Sequence, residues 1–302
     1  MMRTSYQGAV LGFPVKQSLS PAIFGYLSDH FLRAPYESSF HYGGIEIAES
    51  EFQSRFAEIS SHSEFKGCNV TLPFKERVIS QLDEISQEAR EIGAVNVVHR
   101  KGETLLGFNT DVYGIGQTLK ECSCSLAGEA AVVFGAGGAA RAVGYALAKA
   151  GASHVHFVNR TLARAQKLAE DLGVFFPRTE FQASTRATGG PSSVSLYVNA
   201  TPYERWNHLG LTEGKSFLPQ NPDPKSLAFD LIYRPRNTPF LEWAQSHGLK
   251  TVGGLSMLIW QALASWEIWF GPLSEKGNLK ATLYDFLNGI LDRETLEVGL
   301  LK

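Results

Sequence analysis

Cysteine is scarce in this chain: Cys68, Cys122 and Cys124 are the 3 present among 302 residues. They form neither an even disulfide framework nor spaced CxxC pairs, so no metal site is expected and a reducing cytoplasm is the expected home. An excess of one charge is also missing. Lys and Arg number 28 against 30 Asp and Glu, a formal net charge of −2. That balance gives no electrostatic reason to expect a nucleic acid or an anionic membrane as partner. The opening residues, MMRTSYQGAVLGFPV, lack an apolar core of signal-peptide length. One long apolar run exists, GLSMLIWQALASWEIWFG over 254–271, but Gln261 and Glu267 interrupt it. Leu255, Leu258, Ile259, Ala262, Leu263, Trp266 and Phe270 recur there at helical spacing, which predicts a buried amphipathic helix rather than a membrane span. No internal repeat or low-complexity tract is found.

What is present reads as α/β. A hydrophobic content of 44% over this length supplies core for two ordinary domains or one large one. From about 6 to 100, the short apolar runs GAVLGF, YESSFHY, GCNVTL and AVNVVHR alternate with helical patterns such as SPAIFGYLSDHFL. Ser20 is suited there to an N-cap, with Pro21 at the first helical position. GIGQTLKECSC, about 113–125, reads as a connecting helix. A second α/β unit opens at 129–161 as strand, glycine turn, helix, strand. SLYVNAT and SLAFDLIY are further strand candidates, and LKATLYDFLNGIL is a closing helix.

The glycine turn points to a nucleotide. In FGAGGAAR, Gly135, Gly137 and Ala140 fit G-x-G-x-x-G/A, with Ala136, Gly138 and Ala139 between them. The first glycine makes the tight turn, the second admits a pyrophosphate to the backbone, and the small third residue lets helix and strand pack closely. The phosphates then meet the helix N-terminus. The end of the next strand selects the nucleotide. An NAD-type site usually carries an acid there for the ribose 2′-hydroxyl; this chain has Asn159-Arg160-Thr161, with Arg164 a turn further on. A carboxylate would repel a 2′-phosphate, whereas guanidinium groups bind it as forked donors, so NADP is expected over NAD.

Two charged residues are candidates for chemistry. Lys75, in CNVTLPFKERV, follows an apolar run and a Pro-bearing turn, a placement at the rim of a sheet. Asp111, in GFNTDVYG, suits either a strand end or a helix cap.

Taken together, these blocks resemble the shikimate dehydrogenase family. S-x-S-P, N-V-T-x-P-x-K, G-A-V-N, N-T-D, G-A-G-G-A-x-R, N-R-T, D-x-x-Y and a Gln-bearing final helix occur in the family's order along nearly the whole chain. The resemblance implies reversible NADPH-dependent reduction of 3-dehydroshikimate to shikimate, a step of aromatic amino-acid biosynthesis. It assigns Lys75 and Asp111 to a catalytic pair, which should titrate as a coupled unit. It assigns Ser18 and Ser20 to the substrate carboxylate, with capping of the following helix as their alternative. Thr71, Asn96 and Gln261 match positions that bind substrate hydroxyls or hold the pair. Tyr233 matches a substrate-side tyrosine, with a core strand aromatic as the alternative, and Leu231 and Gly254 match backbone contacts to the nicotinamide end. The implied layout is an α/β substrate domain over 1–112, a Rossmann-type NADP domain over 113–252 and helices over 253–302 returning to the first domain, with the active site in the cleft between domains. A broader quinate/shikimate enzyme and a non-catalytic nucleotide-binding regulator are the competing readings. A homodimer is an expectation that the sequence does not decide.

The chain departs from the family at Gln17, where His is common, and at Val112, where Gly is usual. N-A-T-S-x-G-M has become NATPYERW, and the loop over 203–227 is unusual, which leaves substrate range open. Cys68, beside the site, reads as a small buried apolar residue.

Overall fold

A computed structural model describes residues 4–33, 38–187, 191, 193–202 and 218–300, with backbone alone from 294 onward. By contacts the chain divides into two compact units. Unit 1 comprises Met1–Arg90, Ala94–Thr110 and Leu258–Lys302; unit 2 comprises Glu91–Gly93 and Asp111–Met257.

Unit 1 is built on a sheet of β1 (Ser5–Gly12), β2 (Ser39–Glu46), β3 (Phe65–Val70), β4 (Glu84–Ile85), β5 (Val97–Lys101) and β6 (Thr104–Phe108), in the order β2-β1-β3-β5-β6-β4. β1 runs parallel to β2 and β3, whereas β5 is antiparallel to β3 and β6. The carboxyl ends of β1, β3 and β6 and the start of β5 therefore share one edge. Between the strands come α1 (Ser20–Ser28), α2 (Phe52–Ser60) and α3 (Gln87–Ile92). Phe52 of α2 stacks on Phe74 with centroids 4.1 Å apart, inside a core that includes Phe56, Phe65, Val70 and Cys68.

Unit 2 contains α4 (Asp111–Glu121), β7 (Ala130–Phe134), α5 (Gly138–Lys149), β8 (His154–Val158), α6 (Leu162–Gly173), β9 (Glu180–Ser184), β10 (Leu196–Asn199), β11 (Leu227–Asp230), α7 (Pro239–Ser246) and β12 (Lys250–Val252). All pairings are parallel, in the order β12-β11-β10-β7-β8-β9. This is the doubly wound dinucleotide-binding order, with the chain reversing direction across the sheet between β7 and β10. Its central strands β7, β10 and β11 are almost wholly buried because both faces are covered, whereas the edge strands β9 and β12 are part-exposed.

Two helices close the chain, α8 (Leu255–Phe270) and α9 (Lys276–Leu300). α8 differs from the single apolar stripe expected of it. Met257, Trp260 and Trp269 are buried as well as Leu255, Ile259, Leu263 and Trp266, so most of its circumference is covered. From Leu258 onward it belongs to unit 1. There Trp266 and Trp269 meet Phe40, and Trp269 Nε1 donates to the Val98 carbonyl at 2.9 Å. Among the described residues no helix is long and apolar enough to cross a membrane.

Gly67 of β3 lies directly beneath that indole. A Cβ at this position would fall on Trp269 Nε1 and on the Val98 carbonyl oxygen. Gly67→Ala should therefore lower unfolding stability by about 1–3 kcal/mol through overpacking and loss of the indole hydrogen bond. Urea unfolding followed by tryptophan fluorescence checks this; an unchanged midpoint would contradict it.

Candidate active site

The shared edge of the unit 1 sheet collects most of the expected substrate groups. Ser18 and Ser20 follow β1, Thr71 and Lys75 follow β3, and Asn96 precedes β5. Thr71 N–H donates to the Leu11 carbonyl at 2.9 Å, and Phe74 N–H returns to the Thr71 carbonyl at 2.9 Å. That turn carries Lys75, which is half-buried and whose carbonyl accepts from Val95 N–H at 2.8 Å. The serines sit differently from the capping expectation. Leu19 is the N-cap of α1, with no side-chain cap bond, and Ser20 is the first helical residue. It is Ser18 Oγ that accepts a local bond, from Ser20 N–H at 3.2 Å. The Ser20 hydroxyl thus has no capping duty, because Pro21 supplies the preset φ of the first turn.

Asn96 and Gln261 are brought together inside a buried polar network. Thr110 N–H donates to Asn96 Oδ1 at 2.7 Å, and Asn96 Nδ2 donates to Thr110 Oγ1 at 3.0 Å and to Gln261 Oε1 at 3.4 Å. Ser265 Oγ donates to the Gln261 carbonyl at 2.8 Å, lies 3.1 Å from Thr110 Oγ1, and accepts from Asn69 Nδ2 at 3.2 Å. Tyr42 closes the chain, its hydroxyl donating to Asn69 Oδ1 at 2.7 Å. Because Ser265 spends its proton on the helix carbonyl, Thr110 O–H donates to Ser265 and leaves its lone pair for Asn96. Tyr42, Asn69, Thr110 and Ser265 were absent from the sequence-based set. Asn69 and Thr110 stand inside the N-V-T and N-T-D blocks, and Ser265 is one helical turn beyond Gln261; Tyr42 carried no signal.

Asp111 follows Thr110 directly and opens α4 as its first residue, only 4% exposed. A carboxylate is favoured there by the helix dipole. Cys68 is fully buried and its thiol pKa is pushed up by burial, so it is an inert core residue.

In unit 2 the candidate cofactor residues lie along the carboxyl edge of the parallel sheet. Gly135 has φ +118°, and a Cβ there would stand 3.0 Å from the Ala200 carbonyl oxygen. Only glycine satisfies both conditions. Gly137 is the N-cap of α5 without a side-chain bond, and a Cβ at that position would meet nothing within 4 Å. The first amides of α5, from Gly138 and Ala139, have no acceptor within the helix, and open space surrounds the Gly137 Cα. Close helix–strand packing falls on Gly144 as well as on the buried Ala140: a Cβ at Gly144 would press on Phe157 and Leu172. Arg141, the last residue of the glycine block, is turned inward and pairs with Asp171 at 2.9 Å. After β8, Asn159 Nδ2 donates to the Thr161 carbonyl at 2.9 Å, while Arg160 and Arg164 are exposed.

Leu231 and Gly254 meet, since a Cβ on Gly254 would fall on the Leu231 carbonyl oxygen. Tyr233 lies in the half-buried loop after β11, so it is not a core strand aromatic. Asp230, first residue of D-x-x-Y, fixes this loop. Its carboxyl accepts from Asn199 Nδ2 at 2.8 Å, Ile232 N–H at 2.9 Å and Thr238 O–H at 2.6 Å. Asn199 Oδ1 in turn accepts from Thr201 N–H at 2.9 Å. Of the 203–227 loop singled out in the sequence, 203–217 lies outside the described residues.

Fold and site together define a class: one unit with the dinucleotide-binding strand order and another whose sheet edge is polar. Comparison with known proteins agrees and is more specific. Residues 10–98 match the family model for the shikimate dehydrogenase substrate binding domain, and residues 117–185 that for shikimate / quinate 5-dehydrogenase. The chain is 36% identical over 274 residues to the shikimate dehydrogenase (NADP(+)) of Symbiobacterium thermophilum, covering 87% of this chain and 88% of that protein. It is 37% identical to that of Mesorhizobium japonicum, over 90% of this chain and 92% of the relative. The crystal structure of shikimate 5-dehydrogenase from Thermus thermophilus with NADP(H) and shikimate superposes with a TM-score of 0.70 at 35% identity, over 91% of this chain and 97% of that one. The protein belongs to the shikimate dehydrogenase family.

Asp230 has a pH signature. Its pKa is raised to about 6, burial outweighing the bonds from Thr238, Ile232 and Asn199. An unfolded aspartate titrates near 3.9. Between these values the folded state holds the extra proton, so stability falls as pH rises through this window. Asp230→Asn keeps an Oδ1 acceptor and does not ionise. Wild type should therefore lose stability relative to this variant by up to about 3 kcal/mol between pH 4 and pH 7. Denaturant unfolding of both proteins across that range measures the difference. A difference independent of pH would contradict the raised pKa.

Proposed function

We propose that this protein catalyses the reversible reduction of 3-dehydroshikimate to shikimate with NADPH. The observation that carries the reading is the unit 1 sheet edge, where Ser18, Ser20, Thr71, Lys75 and Asn96 flank neighbouring strand ends and the chain passes from Thr110 into Asp111. NADPH supplies the hydride when bound, and Gly135–Ala139, Asn159–Thr161, Arg164, Leu231 and Gly254 are the residues that would hold it. Negative charge builds on the ketone oxygen as the hydride arrives. The Lys75 ammonium stabilises that charge and delivers the proton, and Asp111 acts with it as a pair. Ser18 and Ser20 take the substrate carboxylate; the Ser18 hydroxyl only accepts from Ser20 N–H and keeps its proton to donate, and the Ser20 hydroxyl makes no cap bond. Thr71, Asn96 and Gln261 orient the ring hydroxyls, and Tyr233 borders the substrate. Each neutral hydrogen bond contributes about 0.5–1.5 kcal/mol, so several are needed to hold so polar a molecule.

Quinate carries one more hydroxyl, on the carbon that bears the carboxylate, and the room beside Ser18 and Ser20 decides whether it is accepted. A non-catalytic regulator would have no need of Lys75 and Asp111 together. A reaction of this kind suits the reducing cytoplasm inferred from three free cysteines, and sedimentation equilibrium would decide the homodimer.

Reduced nicotinamide absorbance, with shikimate and quinate each crossed with NADP and NAD, tests the reading: shikimate with NADP should be the fastest pair. Lys75→Ala should lower kcat by far more than it raises KM, because the charge it meets exists mainly in the transition state. Near-normal kcat would remove Lys75 from the chemistry. Ser18→Ala and Ser20→Ala should instead raise the KM for shikimate and leave NADP affinity unchanged. An unchanged KM with a lowered Tm would return the serines to a structural role.

A further inference from the structure

β8 and β9 pair in parallel with Val158 opposite Ser184. The ladder runs one bond beyond the strands, Asn159 N–H donating to the Ser184 carbonyl at 3.0 Å. Arg160 stands two residues past Val158, and Arg186 stands two residues past Ser184. Neighbouring parallel strands lie about 4.8 Å apart. Two arginines thus follow neighbouring strand ends at the carboxyl edge of the sheet, and both are exposed. Arg55, Arg77, Arg100 and Arg141 each lie against a carboxylate. Among the described residues Arg160 and Arg186 have no such partner.

The position of Arg186 is built rather than incidental. Ser184 Oγ donates to the Arg186 carbonyl and lies 2.7 Å from His156 Nε2. Since the serine proton is committed to that carbonyl, the imidazole donates to Ser184. His156 is fully buried on β8 and held neutral, its pKa pushed down to about 4 by burial first and His154 second. The chain His156–Ser184–Arg186 therefore fixes the backbone just past β9 from inside the unit.

Two like charges at neighbouring strand ends cost free energy when they approach, and an anion between them removes that cost. α6 begins beside them without a side-chain cap on Thr161, and its amides add to the positive potential. We propose that Arg186 is a further specificity-determining residue for the cofactor, its guanidinium sharing the 2′-phosphate of NADP with that of Arg160. This inference rests on the reading that the 2′-phosphate sits at the end of β8.

Binding titrations of NADP and NAD to wild type, Arg160→Ala, Arg186→Ala and Arg186→Lys, each at low and high salt, test it. Arg186→Ala should weaken NADP on the order of tenfold, as expected for loss of a charge-assisted bond, with NAD unchanged. Arg186→Lys should keep part of the affinity, and the NADP loss should shrink in high salt. Arg160→Ala should cost NADP roughly 10- to 150-fold. If Arg160→Ala leaves the NADP-to-NAD preference intact, the 2′-phosphate reading itself fails. If Arg160→Ala shifts that preference and Arg186→Ala does not, Arg186 alone is overturned. Equal losses of NADP and NAD in Arg186→Ala also overturn the proposal, since they would mean a contact outside the phosphate.

Discussion

Burial of the Asn96 carboxamide is the constraint on which unit 1 depends. A buried donor or acceptor left unmet costs about 1–3 kcal/mol, and Asn96 is only 3% exposed. Its oxygen is met by Thr110 N–H and its nitrogen by Thr110 Oγ1 and Gln261 Oε1. Those partners are polar and buried in turn, so Ser265, Asn69 and Tyr42 are drawn into one network. The consequence reaches beyond the amide. β5, the end of β6 and α8 must keep one register, and Asp111 begins where Thr110 is pinned. A network satisfied throughout gives a rigid platform, whereas a partly satisfied one would be worse than an apolar core.

Unit 2 meets a similar demand with a carboxyl group. Asp230 is buried at the end of β11 and joins Asn199 of β10, the Ile232 amide and the cap residue of α7. Thr238 in turn accepts from Leu241 N–H at 3.2 Å to begin that helix. The segment after β10 is thereby set beside Gly135, at the point where the strand order reverses. Nucleotide-binding glycines need such a wall, since their freedom to approach a phosphate is also freedom to move.

The glycine turn, the Pro-bearing turn before Lys75 and the N-R-T strand end were legible in the sequence because local backbone chemistry dictates them. Their order along the chain carried the family. Elements of weak pattern were not legible. β9 reads EFQAS, half-buried with no clean alternation, and β4 has only two residues. The N-cap of α1 moved from Ser20 to Leu19 because the proline fixes the first turn without help from a side chain. A stripe over 254–271 describes one face of α8, but indoles on its other faces are covered too, and coverage is a tertiary fact. That Arg160 and Arg186 follow neighbouring strand ends needs the pairing of β8 with β9, and the reach of Ser265 needs Asn69, Thr110 and α8 in one place. Neither follows from spacing along the chain.

Substrate platform and nucleotide edge have a joint purpose only if a hydride passes between a carbinol carbon and nicotinamide. Shikimate deuterated at the carbon that becomes the ketone tests this claim directly. Oxidation with NADP should yield reduced cofactor carrying one deuterium from that carbon, found by mass spectrometry. Reduced cofactor without the label, or no reduction at all, would contradict the account.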